Sequence, residues 1–264
     1  MIILAAVIPF LALAAPAPSS PLDRLPQNAA GAAVRKSIEH AGGWSAWEAK
    51  KTAEVKKTTR RPRANGSAGE TRTEIDRLRL NPGFGVRMEI EESGKKAILV
   101  NNGRFASKVV DAKEDLSLAA GREARDETFA AEYLFGLPFK LADLGVRFDS
   151  QGQGSLEDGT SVERVRVTYE AGSGDASGQH NWTYSFDSKS GALRAGRVDM
   201  APDKSFFFEF LDEKSFDGLR LPTRIRQSTM EASGKKGPMV SETTIDELRF
   251  NVPLDDSLFA IPPR

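Results

Sequence analysis

The sequence predicts a mainly β (α+β) protein with one large antiparallel sheet, an N-terminal helix and a helical insertion. Apolar and polar residues alternate with a period of two in about 11 segments, which is typical of strands with one buried face. Turn signals such as Asn102-Gly103 and Asp217-Gly218 separate these segments at short intervals. Only two stretches of the 264 residues have helical character, which favours antiparallel meanders over βαβ units.

Residues 1–15 are predicted to be a signal peptide. The run Ile2–Ala15 is uncharged and apolar, with Pro9 as its one interruption. It is shorter than the ~20 residues that a membrane-spanning helix needs. Ala12-Leu13-Ala14 has the small-residue pattern of a cleavage site, although no Lys or Arg precedes the apolar run. A buried N-terminal helix is the alternative. We expect export and a soluble periplasmic protein.

Residues 16–28 form a predicted linker, and residues 29–264 a single domain. Residues 16–21 consist of Pro, Ala and Ser, which do not continue a helix. Asn28 is a suitable N-cap for a helix over Ala29–His40, and Gly42 and Gly43 would end it. No later shift in composition indicates a second domain.

The clearest strand runs from Phe84 to Glu91. We predict that alternate residues face the interior, namely Phe84, Val86, Met88 and Ile90, and that the charged residues between them face water. The other predicted strands are Lys51–Arg60, Glu70–Leu80, Lys96–Asn101, Arg104–Val110, Ser161–Glu170, His180–Asp187, Ala192–Met200, Ser205–Asp212, Leu219–Met230 and Val240–Phe250.

A helical insertion is predicted between the fifth and sixth of these strands, within Asp111–Asp143. Its clearest part runs from Thr128 to Phe135, and Pro138 would end the helix. We predict that the segment Thr128–Leu141 acts as a lid over the sheet.

Composition and motifs exclude several classes of function. Lys plus Arg and Asp plus Glu both total 37, so the basic excess of a nucleic-acid-binding protein is missing. The absence of Cys excludes disulfides and thiolate chemistry. The sequence contains no nucleotide-binding, hydrolase or zinc-protease motif. His40 lies at the end of a predicted helix and His180 at the start of a predicted strand, where neither needs a catalytic role. We therefore predict no catalytic residue, metal or cofactor, with a hydrolase that uses His180 as the weakest alternative.

A basic run precedes and occupies the first strand. It contains seven cations and one acid, Glu54; the cations are Lys50, Lys51, Lys56, Lys57, Arg60, Arg61 and Arg63. An exposed strand edge protected by Lys explains such a run. The functional alternative is a contact with an anionic membrane surface or a partner protein.

Aromatic residues mark two strand faces. One face carries Trp182, Tyr184 and Phe186, and the other carries Phe206, Phe208 and Phe210. Rings on one face of a sheet are core residues by default, but few helices are available to cover so wide a sheet. The hypothesis is an apolar cleft that stays partly open to a hydrophobic ligand. The predicted ligand-binding residues are Trp182, Tyr184, Phe186, Phe206, Phe208, Phe210 and Met88.

Several segments resemble exported bacterial proteins of the lipoprotein-carrier (Lol-type) superfamily. The first is the helix that ends in His40-Ala41-Gly42-Gly43-Trp44, with Trp47. Later ones resemble a subgroup of uncharacterised periplasmic relatives: 137–143 (LPFKLAD), 186–193 (FDSKSGAL), 216–223 (FDGLRLPT) and 250–256 (FNVPLDD), with Phe259 and Pro262. Their order along the chain, from about residue 34 to the C-terminus, is the specific signal.

The resemblance implies a strongly curved antiparallel half-barrel of about 11 strands, with helices over a concave apolar face that holds acyl chains in the carriers. The chain has no lipobox Cys, and no single Arg matches a functional residue of a carrier, so no site residue is transferred. Shared fold does not establish shared cargo. The leading hypothesis is a non-enzymatic carrier of a lipid or lipoprotein acyl chain. The alternative is an envelope sensor or interaction module with a closed core.

Overall fold

One open antiparallel sheet organises the molecule. The computed structural model describes residues 20–63, 67, 69–170, 180–201, 204–231 and 233–261. Within them, 13 strands follow the order β6-β5-β4-β3-β2-β1-β13-β12-β11-β10-β9-β8-β7. The N-terminal meander β1–β6 and the C-terminal meander β7–β13 therefore join where β1 pairs with β13. The predicted signal peptide, residues 1–15, lies outside the described residues.

The strands of the N-terminal meander are β1 (Thr52–Arg61), β2 (Glu70–Arg79), β3 (Gly85–Glu92), β4 (Lys95–Asn101), β5 (Ala106–Val110) and β6 (Lys113–Asp115). Those of the C-terminal meander are β7 (Val146–Ser155), β8 (Ser161–Tyr169), β9 (Asn181–Asp187), β10 (Leu193–Ala201), β11 (Lys204–Phe216), β12 (Leu219–Met230) and β13 (Lys236–Phe250). Irregular register between β1 and β13 and between β12 and β13 adds twist at the centre of the sheet.

In the described part of the chain, three α-helices accompany the sheet: α1 (Ala29–His40), α2 (Trp44–Glu48) and α3 (Leu118–Phe135). The Asn28 side chain accepts a hydrogen bond from the Gly31 amide at 3.0 Å, as an N-cap does. Gly42 follows α1 with a φ of +114°, and a Cβ there would lie 2.3 Å from the Gly218 carbonyl oxygen. Only glycine fits this junction between α1 and the β11–β12 turn. Short 3-10 helices occupy Pro21–Arg24, Phe139–Ala142 and Asp256–Phe259.

The core lies on one face of the sheet. On β3, Val86, Met88 and Ile90 are buried as predicted, whereas Glu91 is exposed and Arg87 and Glu89 are half-buried. Phe84, which precedes the strand, is half-buried. The Arg87 Nε lies 2.9 Å from a Glu89 carboxylate oxygen, so the two form an ion pair on the opposite face. The alternation places one apolar and one polar face on the strand.

The sheet has two strands more than the predicted count of about 11. The missed strands are β6 and β7. β6 has three exposed residues, and β7 is an edge strand whose residues are mostly exposed, so neither shows the alternation that marks a half-buried strand. α2 was also not predicted, because five residues are too few for a helical period.

β1 is not an edge strand, which corrects the interpretation of the basic run. It lies at the centre of the sheet, between β2 and β13. Many of its charges have partners: Lys50 lies 2.6 Å from Asp217, Lys56 2.9 Å from Glu247, and Arg61 pairs with Glu92. Lys therefore does not protect an exposed edge here.

Candidate functional site

The face of the sheet that carries the core, called here the concave face, is covered by helices in two regions. α1 contacts β7, β8 and β9, and α3 contacts β3, β4 and β5. The 3-10 helix after α3 places Phe139 against Trp47, with parallel rings 4.8 Å apart. The central strands β1, β13, β12 and β11 lie between these two covers.

The predicted aromatic residues form one continuous packed cluster. The rings of Trp182 and Tyr184 stack at 5.3 Å, and Trp182 lies 5.4 Å from Phe208. Tyr184 and Phe186 lie 6.3 Å apart. The buried members, which all belong to the core, are Trp182, Tyr184, Phe186, Phe208, Phe210 and Met88; Phe206 is half-buried. The burial of these side chains in one core agrees with the prediction that they share one face of the sheet. Burial by itself does not make them a ligand site.

The C-terminal half of α3 is joined to this cluster by hydroxyl groups. The Tyr133 hydroxyl lies 2.6 Å from the Tyr184 hydroxyl and also bonds to that of Tyr169. All three rings are buried, and these hydrogen bonds satisfy hydroxyl groups that lie in the core. Further along α3 toward its N-terminus, the buried Asn101 amide donates to Thr128 at 3.0 Å. α3 therefore contacts both meanders.

A cavity of about 140 Å³ lies between α3 and the central strands. Ala131, Leu134 and Phe135 form its α3 side. Apolar residues of the sheet line one part, namely Val55, Phe208, Ile225 and Ile245, and polar residues line another, namely Lys57, Asp76, Gln227, Ser241 and Thr243. We call this space the concave cavity. Its mixed lining suits a molecule with an apolar body and a polar end.

The polar part of the concave cavity belongs to a cluster of charges. The Lys57 Nζ lies 2.7 Å from an Asp76 carboxylate oxygen and 3.4 Å from Glu74. Arg72 joins the cluster at 3.1 Å from Glu74 and 2.7 Å from Glu127 of α3. Because Asp76 is buried, loss of hydration raises the pKa of its carboxyl to about 6, although the Lys57 charge opposes this shift. Burial alone would lower the pKa of Lys57, but Asp76 and Glu74 outweigh it and raise that pKa.

One oxygen of this cluster has no partner. Asp76 Oδ1 is buried and accepts no hydrogen bond from the residues that the structure describes. Buried carboxylate oxygens are normally hydrogen-bonded, so this atom is a free acceptor that a bound molecule can satisfy. It lies on a residue that lines the concave cavity.

Only one of the seven predicted ligand-binding residues, Phe208, lines the concave cavity. The other six lie in the surrounding core. The predicted lid Thr128–Leu141 contributes Ala131, Leu134 and Phe135 to the cavity wall. The polar residues Lys57 and Asp76 were missed, yet a signal existed: the inward alternation Ala53, Val55 on β1 continues to Lys57.

Neither histidine lies in these linings. The His40 Nε2 lies 3.0 Å from a Glu213 carboxylate oxygen and joins the end of α1 to β11. His180 directly precedes β9. No group of three or more His, Asp or Glu side chains suited to hold a metal ion occurs among the described residues. No helix in the same part of the chain is long and apolar enough to cross a membrane.

Comparison with known proteins gives the fold. No family model matches the sequence, and no curated protein matches it. Among solved structures, a LolA-superfamily protein from Nitrosomonas europaea superposes with a TM-score of 0.58 at 12% identity, over 88% of this chain and 97% of that one. A DUF1329-family protein from Desulfovibrio piger has a TM-score of 0.54 at 13% identity, over 89% and 98% of the two chains.

A third structure, a putative outer membrane lipoprotein-sorting protein domain from Vibrio parahaemolyticus, has a TM-score of 0.54 at 13% identity. It covers 86% of this chain and 95% of its own. In all three comparisons the agreement extends over nearly the whole domain. The protein therefore has a Lol-type fold, as the sequence resemblance predicted: an open antiparallel sheet with helices over one face.

Proposed function

We propose that the protein is an exported, non-enzymatic carrier in the cell envelope, which binds a lipid or the acyl chain of a lipoprotein on its concave face. The observation that carries the proposal is the concave cavity, which lies under α3 in a Lol-type fold. Apolar contacts suffice for such a ligand, since each buried methylene contributes about 0.8 kcal/mol. The predicted signal peptide and the lipoprotein-sorting neighbour support a periplasmic location.

The polar part of the cavity narrows the ligand class. A free acceptor at Asp76 and a cation at Lys57 lie where the head of an amphipathic molecule would meet the sheet. The apolar part would then hold the first carbons of the chain, against Phe208 and Leu134. A ligand with a polar head satisfies both parts, whereas a plain hydrocarbon leaves the Asp76 oxygen unpaired.

Binding requires α3 to move. The concave cavity of about 140 Å³ is smaller than the ~300–1,000 Å³ of typical small-molecule sites. A complete acyl chain fits only when the lid segment Thr128–Leu141 shifts away from β11 and β12. The small volume also favours the second candidate function, an envelope sensor or interaction module whose core stays closed. A membrane contact through the basic run is a secondary expectation, since many of those charges are paired.

A covalent clamp on α3 separates the two functions. The chain has no cysteine, so Asn101→Cys with Thr128→Cys provides a unique pair of thiols where the two side chains now touch. Dibromobimane bridges nearby thiols and would hold α3 on β4. The uncrosslinked double variant is the matched control, and circular dichroism verifies that both forms fold.

The readout is the fluorescence of dansyl-undecanoic acid, an acyl probe. We expect the uncrosslinked form to bind the probe and the crosslinked form to bind it at least tenfold more weakly. Binding that the clamp leaves unchanged would show that α3 is not the lid. A wild-type protein that binds no acyl probe would favour the closed-core module.

A further inference from the structure

A cavity of about 760 Å³ lies on the face of the sheet opposite the core. Its floor consists of outward residues of β8, β9, β10 and β11. The turn after β7 and the β12–β13 connection at the start of β13 meet beside this floor, because the Nζ of Lys236, the first residue of β13, lies 2.7 Å from a Glu157 carboxylate oxygen. These two turns belong to strands six positions apart in the sheet. The space below this ion pair is called here the outer groove.

Four polar side chains form a square on the groove floor. Arg164 pairs directly with Ser185 across β8 and β9, and Arg166 pairs with Thr183. Alternate residues of a strand share a face, so all four side chains point into the outer groove. Direct cross-strand partners lie about 5 Å apart and alternate residues about 7 Å apart, so the four side chains start from neighbouring points of the groove floor, and the Arg164 guanidinium extends over Gly154 and Ser155 of β7.

The donors of this square lack partners. Among the described residues, the side chains of Arg166, Thr183 and Ser185 make no hydrogen bond or ion pair. The Arg164 guanidinium donates to a single group, the Ser155 carbonyl oxygen, at 3.2 Å. Ser185 is only 6% exposed as a residue, whereas Arg164 and Arg166 are exposed, so both guanidinium groups are accessible to a ligand. The free donors therefore favour an acceptor-rich ligand.

The charge balance supports the same ligand. The acids that line the outer groove are already held by other cations: Glu157 and Glu209 by Lys236, Asp158 by Arg194 and Asp199 by Arg197. Arg164 and Arg166 form no ion pair among the described residues, although Asp149 of β7 is the direct cross-strand neighbour of Arg166. Guanidinium groups bind carboxylates and phosphates through paired N–H donors, so two arginines without an ion pair favour an anionic ligand.

An apolar wall stands beside the square. It consists of Leu156, Phe207, Leu211 and Met230. Phe207 belongs to the same cross-strand row as Arg166 and Thr183, with Arg197 between. We propose that the outer groove binds a small organic anion, whose carboxylate or phosphate lies between Arg164 and Arg166 and whose apolar part lies against Phe207. This site is on the opposite face from the concave cavity and does not depend on the carrier function.

Isothermal titration calorimetry on the complete protein tests the proposal with four probes: 2-naphthyl phosphate, 2-naphthoate, inorganic phosphate and uncharged 2-naphthol. We expect at least one naphthyl anion to bind with 1:1 stoichiometry and at least tenfold more tightly than 2-naphthol or inorganic phosphate. The preferred anion identifies the oxyanion. Added inorganic phosphate should not displace an acyl probe from the concave face.

Variants locate the site. Arg166→Gln and Ser185→Ala should each weaken the bound naphthyl anion, the first by at least tenfold. Arg147→Gln is the matched control, since Arg147 is an exposed arginine of neighbouring β7 outside the groove. Three outcomes would overturn the proposal and leave water as the occupant of the groove. Neither naphthyl anion binds, 2-naphthol binds as tightly as the anions, or both groove variants bind like the wild type.

Discussion

Ala131→Leu should fill the concave cavity and block the ligand while it stabilises the fold. Ala131 lies on the α3 wall of the cavity. At about 24 cal/mol per Å³ of empty volume, the 140 Å³ represent an upper limit of ~3 kcal/mol. The three added carbons contribute ~2 kcal/mol if fully buried. Ordering the leucine costs ~0.5–1 kcal/mol, so we expect unfolding to require about 1 kcal/mol more.

Urea unfolding followed by tryptophan fluorescence measures the stability, and titration with dansyl-undecanoic acid measures the binding. Ala130→Leu is the matched control, because Ala130 is an exposed neighbour on the same helix. We expect the control to stay within ~0.5 kcal/mol of wild type and to bind normally. Ala131→Leu should bind the probe at least tenfold more weakly. A destabilised Ala131→Leu, or one that binds like the control, would refute the assignment of this space.

Three further predictions concern the groups around the cavity. Phe208→Ala should cost about 3–5 kcal/mol of unfolding free energy, and Phe206→Ala distinctly less because Phe206 is only half-buried; equal costs in urea unfolding would contradict the packing. Tyr184→Phe should cost about 1 kcal/mol, since it removes a hydroxyl that lies 2.6 Å from Tyr133, and an unchanged urea midpoint would contradict that contact. Carbon-detected NMR should find the Asp76 carboxyl titrating near pH 6. Because folding raises this pKa above its ordinary value of 3.8, the contribution of Asp76 to stability is fully present below pH 3.8 and is lost as the pH rises through 6; a midpoint near 4 would mean that the carboxyl is hydrated.

Much of the fold could be predicted because local patterns and tertiary structure agree. The helix Ala29–His40 has an N-cap and a glycine stop, and β3 has a strict alternation, so both were located from the residues alone. β6 and β7 could not be predicted, since exposed edge strands carry no apolar period. The Lol-type fold was predicted from the order of several short segments along the chain, because none of these segments is specific by itself.

The site was less predictable than the fold. Aromatic residues on strand faces indicated burial correctly, but burial does not distinguish a packed ring from one that lines a space. The concave cavity depends on how α3 crosses the central strands, a long-range packing property. Inward positions of a strand are expected to be apolar, but β1 and β2 carry charged residues there. Lys57 and Asp76 were therefore interpreted as surface residues, whereas the structure shows that they form an ion pair on the core side of the sheet.

Native mass spectrometry of the protein isolated from the periplasm of a Gram-negative host tests the central claim most directly. We expect wild-type protein to carry a non-covalent mass in the lipid range, which organic extraction removes. Ala131→Leu should lack this mass, and Ala130→Leu should retain it. A wild-type protein that carries no lipid and takes up none from added amphiphiles, with its core closed, would contradict the claim that the concave face is a ligand site.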